Sequence, residues 1–461
     1  MAPAVRHTAI PGLLVVELDL HEDSRGWFKE NWQRARMTEL GLPDFGPVQH
    51  SVAHNGPVAV TRGIHAEPWD KLVSVVHGRA FGAWVDLREG PTFGTLHTEE
   101  LDERTAVFVP RGVGNSYQTL LPETVYSYLV NAHWSPDADY TMLHPGDETV
   151  AVPWPIPLTE AVISDKDEQH PRLAHVTPVA PPRALVLGGS GQLGSALADE
   201  LPEVTLLTRA ELDLTDHGAI ESYDFTGVGT VINAAAFTEV DRAETDDGRR
   251  QAWAANASGV AALAAAAVRH GFTLVHYSSD YVFDGASEVS AEDEPLAPLG
   301  VYGQSKAAGD LAVSVVPRHY LLRTSWVIGD GGNFVRTMQR LARRGVEPRV
   351  VDDQLGRLTF ADELARATAH LLAGGAAYGT YHVTNAGGPV SWAEVARRVF
   401  VAEGREPSAV HPVTTEEYVE SAGGAPRPRR SVLDLSRIRA TGFEPRDQWQ
   451  ALADYLGTDA D

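Results

Sequence analysis

The stretch ALVLGGSGQLG at residues 184–194 joins an apolar run to a turn in which the glycines are spaced three apart. Such a turn lets the backbone approach a pyrophosphate at the N-terminus of the helix that follows. Farther along, the apolar segments 230–233 and 273–277 alternate with helical ones, of which the Ala-rich stretch 251–270 is an example. Strands that alternate with helices predict a Rossmann-type α/β domain with a doubly wound parallel sheet.

A serine, a tyrosine and a lysine downstream of this turn form a candidate proton-transfer group. Tyr302 and Lys306 are four residues apart and therefore share one face of a predicted helix. Ser279 follows the apolar segment 273–277 and can point at the same spot. Together they can hand a proton to a carbonyl oxygen while a nicotinamide delivers hydride. We expect the Lys306 ammonium to favour the phenolate and so to lower the pKa of Tyr302.

The end of the second strand of this domain bears on the choice of nicotinamide cofactor. An acidic residue there would bind the ribose 2′-hydroxyl and favour NADH. Instead Leu207 is followed by Thr208 and Arg209, a cation without an acid, which mildly favours NADPH. NADH stays open because Glu211 and Asp213 lie close behind.

Composition limits the class of protein. A chain of 461 residues predicts two domains, and 43% hydrophobic with 22% charged residues is typical of a globular protein. There is no apolar run of membrane-spanning length and no apparent signal peptide. The lack of cysteine excludes disulfides, thiolate catalysis and cysteine-based zinc sites. A net charge of −24 argues against a nucleic-acid partner. We therefore expect a cytoplasmic protein that binds neither nucleic acid nor membranes.

A Pro-rich stretch, VTPVAPPR at residues 176–183, predicts a linker between the domains. Before it, residues 1–175 contain short alternating apolar runs such as LVSVV and AVFVP, which glycines and prolines punctuate. That pattern predicts an all-β barrel or sandwich. The α/β domain then occupies residues 184–461.

Several motifs connect the α/β domain with a known family. They are GGSGQLG, NAAAFTEVDRAE from residue 233, SSDYVFDG from residue 278, YGQSK, RTSW from residue 323 and DQLG from residue 353. With them the domain resembles the extended short-chain dehydrogenase/reductase family and, within it, the dTDP-4-dehydrorhamnose reductases. The resemblance implies that Ser279, Tyr302 and Lys306 are catalytic and that the cofactor is NADPH or NADH.

By the same resemblance, the cofactor-binding residues are Gly188, Gly191, Gln192, Leu193, Gly194, Arg209, Asp213, Leu214, Ala234, Ala235, Ala236, Tyr302 and Lys306. Trp326 would pack on the sugar or the base of the substrate. A Mg²⁺ ion is allowed but not supported by the sequence.

In the N-terminal domain the segments DSRGWFKE and TRGIH contain residues suited to an anionic sugar nucleotide. Arg25, Arg62 and Lys71 are candidate partners for a diphosphate in an otherwise acidic protein. His65 is a candidate base. A base and a phenol on opposite sides of a flat sugar could remove a proton next to a ketone and return one to the other face.

These segments, together with VDLREGPTFG from residue 85, VPRG from residue 109 and residues 128–136, resemble the dTDP-4-dehydrorhamnose 3,5-epimerases, which are metal-free cupin-like barrels. The resemblance implies that His65 is the base, Asp167 its partner, Tyr128 the opposing acid and Lys71 a stabiliser of the enolate oxygen. It also suggests a homo-oligomer, most simply a dimer, formed through the barrel. The substrate-binding residues that it implies are Arg25, Phe28, Glu30, Gln49, Arg62, Asn115 and Trp134.

Two of these positions depart from the family pattern. Asn115 replaces a histidine, and Trp134 stands where many members have a tyrosine. Epimerisation at one carbon or at two therefore remains open. His50 and His54 are four apart, but the sequence offers no further ligand in reach, so we interpret them as structural and predict no metal site.

Together these observations predict a fused enzyme that epimerises a dTDP-4-keto-6-deoxyhexose at C3, C5 or both and then reduces its 4-ketone, most simply to dTDP-L-rhamnose. Two alternatives stay open. The barrel could only bind the nucleotide sugar beside an active 4-ketoreductase. The chain could also be a nucleotide-binding regulatory protein without turnover, although the presence of Ser279, Tyr302 and Lys306 argues against that.

Overall fold

The computed structural model describes residues 4–422 and 424–457, and these fall into two units, Met1–Pro181 and Pro182–Asp461. The division lies inside the stretch 176–183. The first part of that stretch is not free, because the Val179 N–H donates to the Leu87 carbonyl and the Val179 carbonyl accepts from the Glu89 N–H.

Antiparallel strands build the N-terminal domain. They are β1 (Ala4–His7), β2 (Leu14–Glu17), β3 (His21–Asp23), β4 (Gly26–Phe28), β5 (Gln49–Asn55), β6 (Thr61–Ala66), β7 (Lys71–His77), β8 (Ala80–Asp86), β9 (Leu96–Leu101), β10 (Thr105–Val109), β11 (Val113–Thr119), β12 (Thr124–Val130) and β13 (Thr141–Met142). The α-helices here are α1 (Arg34–Glu39) and α2 (Asp165–Glu168).

Two sheets face each other in this domain. One has the order β1-β2-β10-β7-β12-β5 and the other the order β13-β6-β11-β8-β9. Their inner faces share one apolar cluster, to which Val73 and Tyr126 contribute from the first sheet and Trp84 from the second. The predicted all-β, cupin-like domain is confirmed in this outline.

Strand β7 shows why the sequence of this domain is so apolar. Val73 and Val75 face the interior cluster, whereas Leu72 belongs to a second cluster with Met37 of α1 and Phe45. A strand that is covered on both faces must be apolar at consecutive positions.

The hairpin β3–β4 forms a sheet of its own outside the two large ones. Its apolar residues Trp27 and Phe28 are exposed, Phe28 by 68%. At its root the Lys29 ammonium donates to the carbonyl oxygens of Val75 and Glu103, over 2.8 and 2.9 Å. Burial lowers the pKa of Lys29 to about 8.

The C-terminal domain alternates strands and helices. Its strands are β14 (Arg183–Leu187), β15 (Thr205–Leu207), β16 (Val228–Asn233), β17 (Thr273–Ser279), β18 (His319–Thr324), β19 (Val327–Ile328), β20 (Arg349–Val351), β21 (Leu355–Gly356), β22 (Thr359–Phe360), β23 (Gly379–His382), β24 (Val390–Ser391), β25 (His411–Val413) and β26 (Arg430–Ser431). Its α-helices are α3 (Gln192–Glu200), α4 (His217–Ser222), α5 (Asp246–Trp253), α6 (Gly259–His270), α7 (Val301–Ser314), α8 (Phe334–Arg343), α9 (Ala361–Gly374), α10 (Trp392–Ala402), α11 (Thr415–Ala422), α12 (Ser436–Ala440) and α13 (Gln448–Gly457).

Six strands form one parallel sheet in the order β15-β14-β16-β17-β18-β23. One face packs on Leu263 of α6 and Val313 of α7, and the other on Leu197 of α3 and Leu371 of α9. The strand order reverses at β14, so a crevice opens there at the carboxyl ends of the strands, where such sheets bind ligands.

A further apolar cluster joins α8, α10 and α13 through residues such as Met338, Phe400 and Leu452. The short sheets β19–β22, β20–β25 and β24-β21-β26 accompany these helices. No helix in the described part of the chain combines the length and hydropathy of a membrane span.

A buried ion pair ties α7 to the central sheet. The Asp310 carboxylate lies 2.9 Å from the Arg323 guanidinium, and their side chains are almost fully buried. Arg323 also donates to the Glu292 carbonyl. Removal of the carboxylate would leave a buried, incompletely compensated cation.

We expect Asp310→Ala to lower the protection free energy of the β17 and β18 amides by about 3–5 kcal/mol, because breaking a buried pair strands its partner. Hydrogen exchange read by mass spectrometry on the full chain measures this. The matched control is Glu221→Ala, which removes an exposed partner of Arg269 in the same domain and should change protection by less than about 1 kcal/mol. Equal effects of the two substitutions would contradict a stabilising role for the pair.

Candidate active sites

The barrel site is built around the side chains of His65 and Asp167. His65 lies on β6 and its Nε2 is 2.9 Å from Asp167 Oδ1 on α2. The His65 ring is one-third exposed, whereas Asp167 is buried. One face of the histidine is thus open to a ligand while the carboxylate is shielded from water.

Local structure fixes the Asp167 carboxylate. Ser164 caps α2 by accepting a hydrogen bond from the Asp167 N–H, and the Gly63 N–H donates to Asp167 Oδ2 over 3.3 Å. Burial raises the pKa of Asp167, but the hydrogen bond and charge of His65 and the Gly63 amide outweigh burial, so that the pKa falls below its usual value. Asp167 is therefore ionised at neutral pH and oriented towards His65.

A second histidine, which our sequence analysis did not single out, touches both partners. His170 Nε2 is 3.6 Å from Asp167 Oδ1, and its ring meets the ring of His65 edge-on with a centroid distance of 5.2 Å. One feature of the sequence could have pointed to His170. It lies three residues after Asp167, and residues three apart share one side of a helical turn.

The opposite wall of the site carries the predicted acid. Tyr128 lies on β12 in the facing sheet, half-buried against the interior cluster. His65 pairs in register with Asn115 of β11, so the two side chains share a face. The Asn115 Oδ1 accepts from the Tyr126 hydroxyl of β12, which shows that this face is the barrel interior. His65 and Tyr128 thus belong to facing inner walls.

Lys71 carries its charge in the same interior, but with a partner that the sequence analysis missed. Its ammonium is 2.5 Å from the Glu67 carboxylate, which also accepts from the Trp69 indole N–H. Because Lys71 is almost fully buried, an ion pair with Glu67 is what makes its charge tolerable there.

The predicted substrate residues divide into two groups. The Arg62 side chain donates to Asn55 Oδ1, which also accepts from the Tyr117 hydroxyl. Gln49 accepts from the backbone N–H of Trp134, a residue that is 62% exposed. Asn115 pairs with His65, whereas three others, Arg25, Phe28 and Glu30, are not brought to the His65 group within the described chain. Their contacts are the ion pairs of Arg25 with Asp23 and of Glu30 with Arg36, and the Phe28 ring is exposed on its hairpin.

The second site lies at the carboxyl end of β17. Tyr302 and Lys306 occupy successive turns of α7, as their spacing predicts, and Ser279 ends β17. The Ser279 hydroxyl donates to Asp280 Oδ1 over 2.8 Å and lies close enough to the Tyr302 phenol to lower its pKa. The structure therefore brings the predicted hydroxyl pair together.

The expected effect of Lys306 on Tyr302 is wrong for this chain. Burial and the nearby Asp280 carboxylate raise the pKa of Tyr302, and the hydrogen bond with Ser279 opposes them only in part. Lys306 instead donates to the Tyr277 carbonyl over 2.5 Å. Tyr302 is consequently a protonated phenol at neutral pH, the form that can donate a proton.

Beneath Lys306 lies a buried chain of hydrogen bonds that the sequence analysis did not detect. His276 Nε2 is 3.5 Å from the Lys306 ammonium, and His276 Nδ1 is 3.0 Å from Asn233 Nδ2. Burial and the Lys306 charge hold the pKa of His276 well below its usual value. Burial also lowers the pKa of Lys306 to about 8, although Asp310 opposes this.

The glycine turn before α3 is shaped for a close backbone approach. Gly188 has a φ of +79°, and a Cβ there would lie 2.8 Å from the Ala235 nitrogen. At Gly194 a Cβ would lie 2.4 Å from the Gly188 oxygen. Within the described part of the chain no side chain caps the N-terminus of α3, so the N–H groups of its first turn can donate to a pyrophosphate. These features fit a dinucleotide.

The other predicted cofactor residues line the same edge of the sheet. Ala234, Ala235 and Ala236 follow β16, and Gln192 and Leu193 open α3. After β15, Arg209 is exposed. The Asp213 carboxylate accepts hydrogen bonds from the N–H and the hydroxyl of Thr215, and Leu214 between them is buried.

Trp326 does not have the surface position expected of a substrate contact. It is only 9% exposed and stacks on Trp392 with a centroid distance of 3.8 Å. A Cβ on Gly356 would lie 2.7 Å from its ring, so the ring is held tightly from that side also. The indole packs into the core around α8 and α10, and its contact with the substrate stays a prediction.

Comparisons with known proteins agree with the two folds. A family model described as dTDP-4-dehydrorhamnose 3,5-epimerase matches residues 7–175, and one described as RmlD substrate binding domain matches residues 182–460. A dTDP-4-dehydrorhamnose reductase of Streptomyces griseus is 42% identical over 289 residues, which cover 60% of this chain and 93% of that relative. An RmlC homolog of Streptococcus pyogenes is 42% identical over 179 residues, which cover 37% of this chain and 90% of that relative.

The chain belongs to both families, one in each domain.

A solved structure extends the comparison for the RmlD-type domain. The dTDP-4-dehydrorhamnose reductase of Bacillus anthracis, in complex with NADP, has a TM-score of 0.56 and 34% identity, and the match covers 61% of this chain and all of that one.

We expect Gly188→Ala to weaken dinucleotide binding by the RmlD-type domain at least about tenfold, because a methyl group would collide with the Ala235 backbone. Titration of the full chain with NADPH measures it. Gly271→Ala is the matched control, since Gly271 has a φ of +72° but no atom near its Cβ position. That control should lose about 1 kcal/mol of stability through backbone strain and keep its NADPH affinity. Equal affinities in both variants would contradict the proposed role of the turn.

Proposed function

We propose that this chain is a bifunctional nucleotide-sugar enzyme. Its barrel epimerises a dTDP-4-keto-6-deoxyhexose at C3, C5 or both, and its α/β domain reduces the 4-ketone with NADPH, most simply to dTDP-L-rhamnose. The observation that carries this proposal is the presence of two complete proton-transfer groups in one chain: the His65–Asp167 pair facing Tyr128, and Ser279 with Tyr302 and Lys306.

The relatives support the same reading. The curated Streptomyces griseus and Streptococcus pyogenes proteins are named as a reductase and as an RmlC homolog, and this chain spans nearly the whole length of each. The Bacillus anthracis reductase is described with NADP, which supports NADPH as the reductant here.

Epimerisation begins with His65. Its Nε2 faces Asp167, so Nδ1 is the nitrogen whose lone pair is free to accept a proton from a carbon beside the ketone. The ionised Asp167 stabilises the imidazolium that forms. Tyr128, on the facing wall, returns a proton to the other face of the carbon. Lys71 stabilises the negative oxygen of the enolate.

Reduction follows in the α/β domain. When bound, NADPH supplies the hydride that adds to C4. The Tyr302 phenol, which is protonated at neutral pH, gives its proton to the oxygen of the C4 ketone. The Ser279 hydroxyl orients that ketone oxygen by a hydrogen bond. Gly188, Gly194 and the first turn of α3 hold the pyrophosphate.

The surroundings of β15 support NADPH over NADH. The Glu211 carboxylate is engaged by the N–H and the hydroxyl of Thr208, and Asp213 by Thr215, so both are committed to local turns. Arg209 is exposed and suited to a 2′-phosphate.

We further propose a cytoplasmic homo-oligomer, a dimer formed through the barrel. The projecting hairpin β3–β4, with Trp27 and Phe28 exposed at its surface, supports this because a second copy could cover these rings and meet Arg25. A second candidate function is that the barrel binds the nucleotide sugar without epimerising it. The departures from the family pattern at Asn115 and Trp134 favour this candidate. A regulatory protein without turnover has weaker support, because the Tyr302 group is complete.

Tyr302→Phe tests the reductase half. We expect NADPH oxidation with the epimerised 4-keto sugar to fall at least about 100-fold, because only the proton donor is removed, while NADPH affinity changes little. Tyr223→Phe, which removes a phenol that packs on Phe225, should retain the activity. Near wild-type turnover of Tyr302→Phe would refute the assignment.

Exchange of solvent deuterium tests the barrel half. In D₂O without nicotinamide, the protein should place deuterium on a dTDP-4-keto-6-deoxyhexose at C3, C5 or both, as read by NMR. His65→Ala should abolish exchange, Tyr128→Phe should allow exchange but retard inversion, and Asp167→Asn should slow exchange, because each removes one step of the two-face transfer.

The labelling pattern separates the candidates. Deuterium at both C3 and C5 indicates a 3,5-epimerase. Deuterium at only one of these carbons indicates that Asn115 and Trp134 restrict the reaction to that carbon. Absence of label, with reductase activity in the same sample, would identify the barrel as a binding module.

A further inference from the structure

The proposed epimerase reaction leaves His170 without a task. Its side chain is only 6% exposed, and among the described residues neither ring nitrogen has a partner in good hydrogen-bond geometry, although a backbone group of Leu143 lies close enough to act on the pKa of the ring. A buried polar group without a partner costs about 1–3 kcal/mol, so its retention calls for an explanation. The neighbours of His170 Nε2 are His65 and Asp167.

These three side chains have the spacing of metal ligands. His65, Asp167 and His170 each offer one ligand atom, and the three atoms lie within 4.8 Å of one another. The His65 Nε2 and His170 Nε2 atoms lie 2.9 and 3.6 Å from Asp167 Oδ1. A tetrahedral metal about 2.1 Å from each ligand would set neighbouring ligands about 3.4 Å apart, which these distances bracket.

We propose that His65, Asp167 and His170 form a binding site for a divalent transition metal of the Zn²⁺ type, and that a metal bound there inhibits epimerisation. Two imidazoles and one carboxylate favour Zn²⁺ over Mg²⁺ or Ca²⁺, which prefer oxygen ligands. Inhibition rests on the proposed function of His65, whereas metal binding does not.

Tautomer chemistry supplies the mechanism of inhibition. A neutral imidazole has one lone pair and one N–H. With the N–H of His65 directed at Asp167 from Nε2, Nδ1 holds the lone pair that accepts the substrate proton. A metal at Nε2 binds the other tautomer of the neutral ring, in which the single ring proton has moved from Nε2 to Nδ1. The base is then disabled without any block of the pocket.

The site is prepared for a metal and can be reached. His170 Nε2 lies 3.6 Å from Asp167 Oδ1, within reach of a metal that the carboxylate also binds. Asp167 is ionised. His65 is the one-third exposed member of the three, whereas Asp167 and His170 are buried, so a metal would enter from the side of His65.

The experiment titrates the full-length protein with Zn²⁺ by calorimetry and repeats the deuterium-exchange assay with and without Zn²⁺, each variant being compared with its own metal-free rate. We expect binding at this site and loss of exchange that EDTA reverses. His170→Gln should weaken Zn²⁺ binding, and with it the inhibition, at least about tenfold.

The matched control is His54→Gln. His54 forms an exposed pair with Glu123 at 2.9 Å, the same distance as in the His65–Asp167 pair, but no third ligand joins it among the described residues. Its removal should leave Zn²⁺ affinity and inhibition unchanged.

Each outcome bears on the proposal. Inhibition that is as strong in His170→Gln as in the parent protein would place the metal elsewhere and overturn it, as would the absence of Zn²⁺ binding. Zn²⁺ binding that depends on His170, in a protein that shows no exchange without metal, would support the site and count against the epimerase function instead.

Discussion

The titratable groups that both sites use are largely withdrawn from water, and the physical constraint on the molecule is that each must find a partner there. Lys71 has Glu67, Asp167 has His65 and the Gly63 amide, and Lys306 has the Tyr277 carbonyl. Unpaired charges in such surroundings would be lost by protonation or deprotonation. The pairing therefore sets which groups can give a proton and which can take one.

Local rules explain why much of the architecture could be predicted from the sequence. The glycine turn before α3, the shared helix face of Tyr302 and Lys306, and the change from period-two to helical patterning all depend on residues close together in the chain. His65 and Asp167, by contrast, lie 102 residues apart, so no local rule predicts that they pair. Only the family resemblance predicted this pair.

What could not be predicted depends on contacts between distant elements. Glu67, His170 and His276 owe their importance to the buried neighbours that the fold gives them, and a lone acid or histidine in a sequence does not reveal those neighbours. The environment of Tyr302 is another case, since burial and the Asp280 carboxylate raise its pKa while Lys306 donates to the Tyr277 carbonyl instead. Trp326 is a core residue for the same reason, because Trp392 is far along the chain.

The position of α2 in the chain has a consequence for the order in which the barrel site is completed during synthesis. The strands that carry His65, Lys71 and Tyr128 leave the ribosome well before Asp167, which lies near the end of its unit. A nascent barrel can thus form its two sheets while its base still lacks the carboxylate that orients it. The epimerase site becomes complete only as the chain begins to deliver the second domain.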